Sequence, residues 1–83
     1  MPYVSEEGKI TLRELKRKHN LSTYAIAAIA SVEPGLIYWM EQGGSLPKKD
    51  VENILLRLSQ VTGQDYSIET VGGYWIKEEP RAR

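Results

Sequence analysis

Cysteine is absent from the 83-residue chain, and histidine occurs once. That excludes disulfides, thiolate zinc sites and cysteine nucleophiles, and leaves too few soft ligands for a transition-metal centre. Phenylalanine is also absent, so five Tyr and two Trp carry the aromatic bulk. Net charge is lacking too: eleven Lys and Arg cancel eleven Asp and Glu. Any electrostatic footprint for a polyanion must therefore come from local clustering. No apolar run approaches the roughly 18 residues of a membrane span; the longest, 24–30, is far shorter. The N-terminus "MPYVSEEGK" has neither the basic start nor the apolar region of a secretory signal. A soluble cytoplasmic protein is expected, built as a single domain over 1–83 with a small core.

What is present is helical punctuation. "TLRE" at 11–14 is a capping-box pattern, with Thr11 and Glu14 able to satisfy each other's backbone amides. It predicts a helix over 11–19 with Leu12 and Leu15 inward, a basic last turn ending in a surface His19, and Asn20 as terminator. Ser22 is a natural N-cap for a second helix over 23–30, whose inner face carries Ile26, Ala27 and Ala30. Ser31 and Val32 form a tight turn. Pro34 then opens a third helix over 34–42, ended by Gly43 and Gly44. "SLPKKD" reads as a loop, and Val51, Ile54, Leu55, Leu58 and Val61 make the stripe of a fourth helix stopped at Gly63.

The helical core thus spans 11–63. Beyond it, two β-prone runs flank Gly72-Gly73 and predict a hairpin over 66–79, followed by a disordered tail at 80–83. In that register Tyr66, Ile68 and Trp75 pack on the fourth helix. Val71, Tyr74 and Ile76 face outward and are expected to join two copies across an isologous contact. The alternative is that the N-terminal "PYV" adds a strand and covers that face.

Several stretches carry a resemblance. "NLS" at 20–22, "IA" at 26–27, the small Ala30, Val32 in the turn, Ile37 and "MEQG" at 40–43 resemble the lambda-repressor-like (Cro and Xre) helix-turn-helix family over residues 12–63. The resemblance implies a mainly α fold of four to five helices, double-stranded DNA as partner, and a homodimeric transcriptional repressor. It pairs Lys16 with Glu41, at positions where the family commonly uses Arg for the basic member. It places Thr23 on a phosphate, where family members commonly have Gln. It maps base reading to Pro34, Gly35, Tyr38 and Trp39, with Glu33 just ahead.

That reading face is short of bidentate donors and acceptors for guanine or adenine. Glu33 can accept from cytosine, Tyr38 can make one hydrogen bond, and Leu36 or Trp39 can touch a thymine methyl. Arg13, Arg17, Lys48 and Lys49 flank the motif as phosphate contacts, or else are solvated surface. Tyr24, Ile29, Leu36 and Trp39 form an apolar patch on the faces expected to meet solvent. It reads either as a docking surface for a partner protein or as a face covered from within the chain. Paired acids at 6–7 and 78–79 are solvated charge, and neither glycine pair begins a phosphate-cradling loop. No enzymatic activity, cofactor or metal is expected. Two readings stand: sequence-specific DNA binding, and a protein-interaction module using the same surface.

Overall fold

The computed structural model describes residues 3–77. About half of the chain is helical, in four helices joined by short strands. Strand β1 (Tyr3–Val4) and strand β2 (Ile10–Thr11) precede helix α1 (Leu12–His19). Helices α2 (Thr23–Ala30) and α3 (Pro34–Glu41) follow, then β3 (Ser45–Pro47), α4 (Lys48–Thr62), β4 (Val71–Gly72) and β5 (Tyr74–Lys77). Among the described residues, no helix is long and apolar enough to cross a membrane.

Local chemistry sets the helix ends. Thr11 accepts from the Glu14 amide, and the Glu14 carboxylate accepts from the Thr11 amide at 2.9 Å, so the capping box closes as expected. The bond from the Thr11 amide, and after it one from the Thr11 hydroxyl at 3.1 Å, hold the Glu14 carboxyl below its ordinary value. Asn20 ends α1 in the left-handed region, and Ser22 caps α2 by accepting from the Ala25 amide. Pro34 occupies the first turn of α3, where a missing N–H is harmless. The turn between α2 and α3 places Ser31 at φ 58°, a conformation that costs a non-glycine residue energy.

Inside, Leu12, Leu15, Ile26, Ala27, Ala30, Ile37 and Met40 meet Val51, Ile54, Leu55 and Leu58 of α4. The small Ala27 and Ala30 let α2 pack closely on its neighbours α3 and α4. The Asn53 amide on α4 donates to the Ala30 carbonyl and ties the two helices together. Val61 departs from the expected stripe and is 61% exposed. At 100° per residue it lies roughly 70° from the centre of the stripe formed by the other four, at its edge.

The C-terminal third differs most from expectation. Residues 71–77 make no hairpin: β4 pairs with β2 in parallel, while β5 lies between antiparallel β1 and parallel β3. The expected first arm is instead a turn. Ser67 and Thr70 bond to local backbone amides, and the amides of Thr70 and Val71 both donate to the Ser67 carbonyl. Hydroxyl side chains that satisfy nearby backbone compete with a strand ladder, and here they prevail. The stretch 45–47, expected as loop, is strand β3. Gly72 is needed because the Ser5 carbonyl passes where its Cβ would stand, at 2.1 Å. The Gly73 amide donates to the Val4 carbonyl at 2.7 Å, so the diglycine wraps the N-terminal segment rather than reversing the chain.

The expected inward facing holds for Tyr66, which is buried, and for Ile68, which packs against the core. Val71 and Tyr74 are fully buried and Ile76 nearly so, whereas Trp75 and Lys77 are exposed. Val71, Tyr74 and Ile76 are therefore core residues, and their expected role between two copies is corrected. Tyr3 and Val4 of the alternative strand do join the sheet, Tyr3 pairing with Trp75 and Val4 with Tyr74. The expected tail at 80–83 and the last two residues of the expected hairpin lie outside the described residues.

Candidate functional site

The α2–turn–α3 unit is fixed from behind by a three-residue network. The Lys16 ammonium on α1 donates to Glu41 Oε1 at 2.8 Å and to the Thr23 hydroxyl at 3.0 Å. Thr23 passes its own proton to Glu41 Oε2 at 2.7 Å. Three helices thus share one buried carboxylate, whose side chain is 5% exposed. Lysine serves here because Thr23 supplies the second donor that an arginine fork would provide. The same geometry corrects the expected role of Thr23. Its single hydroxyl proton is given to Glu41 and is not free for a phosphate.

The outer face of this unit is apolar and open. Tyr24 is 74% exposed, Tyr38 60% and Trp39 52%, and Glu33 and Gly35 are exposed beside them. Ile29 and Leu36 behave differently from the rest of the expected patch. Both are half-buried and pack against the core. Trp39 has a structural duty as well: its indole N–H donates to the Ser45 carbonyl at 2.8 Å. The ring lies so close over Gly44 that a Cβ there would meet it at 2.2 Å. Trp39 thereby fastens the end of α3 to β3, a role its position on the outer face of the helix did not suggest. Between the two tyrosines, Thr23, Tyr24, Pro34, Gly35 and Tyr38 line a shallow hollow that is mostly apolar.

Charge is unevenly distributed along the chain although the total is zero. Residues 12–49 hold six Lys and Arg against three Asp and Glu, and the remainder hold five against eight. Arg13 and Arg17 are exposed one turn apart on α1, and both border a surface hollow with Lys16 and Asn20. Arg13 also reaches the hollow at the end of α3, beside Glu41, Gln42 and Gly43. Lys48 and Lys49 are exposed in the first turn of α4, which has no side-chain cap. Cations there oppose the helix dipole, and Lys48 borders a hollow that Glu52 and Glu69 also line.

Two features were missed in the sequence. His19, expected as plain surface, is half-buried, with Nε2 2.6 Å from the Tyr66 hydroxyl. It ties α1 to the segment after α4, and burial raises the Tyr66 phenol above its ordinary value. Tyr3 and Trp75 pack at 4.9 Å between ring centroids and stay partly exposed on the sheet. Neither pair carries a local signal, since their members lie 47 residues apart in the first case and at opposite ends of the described chain in the second. In comparison with known proteins, no family model, no curated protein and no solved structure matches the chain.

Proposed function

We propose that this chain is a lambda-repressor-like DNA-binding regulator that acts in the cytoplasm of a bacterial or phage-infected cell. In this reading α3 enters the major groove and the basic residues of α1 and α4 grip the phosphates. The observation that carries it is the α2–turn–α3 unit itself. It is locked from the inside by Lys16, Thr23 and Glu41 while the outer face of α3 stays open. The exposed basic residues on neighbouring helices support it: Arg13 and Arg17 on α1, Lys48 and Lys49 at the uncapped start of α4. Phosphate contact explains why two lysines stand where the helix dipole disfavours them.

A salt titration of binding to random-sequence duplex tests the reading. Several phosphate contacts give a steep loss of affinity with salt. Lys48→Ala with Lys49→Ala should weaken binding to all sequences alike, and each lost contact should lower the slope by about one. Absence of binding at low salt overturns the proposal. The second reading, a protein-docking surface, is favoured by the exposed rings of Tyr24 and Tyr38. It predicts that Tyr24→Ala or Tyr38→Ala abolishes a protein complex, while the lysine variants leave that complex intact.

A further inference from the structure

The exposed face of α3 has little with which to recognise a base edge by hydrogen bonding. Pro34, Gly35 and Trp39 offer no free side-chain acceptor or donor, because the Trp39 N–H is spent on Ser45. What the face does have is the apolar hollow between Tyr24 and Tyr38, floored by Pro34 and Gly35. A second observation bears on that hollow independently. Gly35 has ordinary helical backbone, and nothing lies within 4 Å of where its Cβ would stand. The fold has no use for glycine there, and in a helix glycine is less stable than alanine. A missing side chain that the fold does not require leaves room for something that approaches closely from outside.

We propose that this hollow receives the C5 methyl group of a major-groove pyrimidine, either thymine or 5-methylcytosine. The inference rests on the DNA-binding reading and specifies what that site recognises. The C5 methyl is the apolar group that base pairs present in the major groove. It would meet two aromatic rings, the Pro34 ring and the bare Gly35 backbone, while the basic residues of α1 and α4 hold the phosphates. Loss of one buried methyl should weaken binding about three- to fivefold.

The test begins by selecting bound duplexes from a random-core pool that contains both thymine and 5-methylcytosine. The best duplex is then resynthesised with deoxyuridine in place of each thymine in turn. A second series replaces each 5-methylcytosine by cytosine. A three- to fivefold loss at one position identifies the methyl and its source. Gly35→Ala should melt at the same temperature or higher and should lose that discrimination while keeping its salt dependence. Tyr38→Ala, a surface change that leaves the core intact, should do likewise. If every demethylated duplex binds equally well while the salt slope remains steep, the hollow does not read a methyl and the DNA-binding reading survives. If no duplex binds at low salt, both are overturned.

Discussion

Single side chains decide much in a core this small, and Tyr74 is the largest that is fully buried. Its hydroxyl donates to the Val71 carbonyl at 2.9 Å, and burial pushes its phenol up to about 12 from an ordinary value of 10.0. The native state thus resists losing that proton. The stabilisation is complete below pH 10, where the phenol is neutral in both folded and unfolded chains. It fades as pH rises from 10 towards 12, by up to about 2–3 kcal/mol. Tyr66 shifts in the same direction and adds to the effect. The urea midpoint should therefore fall across that interval. Tyr74→Phe should be less stable at neutral pH by about 1 kcal/mol, from the lost hydrogen bond, yet show a shallower alkaline decline. An identical decline in the variant would place the titrating group elsewhere.

Among the elements, α3 is held from both ends. Its N-terminal end is joined to α2 through the tight turn, and its C-terminal end is pinned by Trp39 over Gly44. Gly44→Ala should displace the indole, break its bond to Ser45 and cost about 1–3 kcal/mol, as overpacking does. Thermal melting measures this, and an unchanged melting temperature would mean that Trp39 moves aside freely. Such tertiary detail was not legible in advance, whereas the helices were. Capping by Thr11 and Ser22, Pro34 in the first turn of α3, and termination at Asn20 and Gly63 are local signals written within a few residues of each helix end. The strands failed for the opposite reason. Whether 71–77 folds on itself or pairs with residues 3–4, 10–11 and 45–47 depends on partners up to 72 positions away, as for Tyr3 and Trp75. Composition around Gly72-Gly73 permits either outcome. The site was legible in part: the exposed rings and basic flanks were named from sequence. The use of the Thr23 proton by Glu41 could not be seen without the third helix in place.

Taken whole, the molecule combines a locally specified helical unit with a sheet that joins the first described strand to the last. The two kinds of contact are won at different moments of folding. Helix ends and the α2–α3 turn close short loops. Pairing β1 with β5 must first bring distant parts of the chain together and pay that entropy before any contact repays it. The strands are thus expected to dock after the rate-limiting barrier, as a clasp on an already assembled bundle. A clasp that closes late governs how long the native state lasts, not how quickly it forms. Ile76→Val, at the inner face of β5, should cost about 0.5–1.5 kcal/mol. Nearly all of that should emerge as unfolding faster by roughly two- to tenfold, with the refolding rate hardly changed. Stopped-flow refolding and unfolding in urea distinguish the two arms; a slowed refolding arm would place the sheet in the folding nucleus. On this view the lifetime of the folded α3 is set by four residues, Tyr74–Lys77, far from it in sequence.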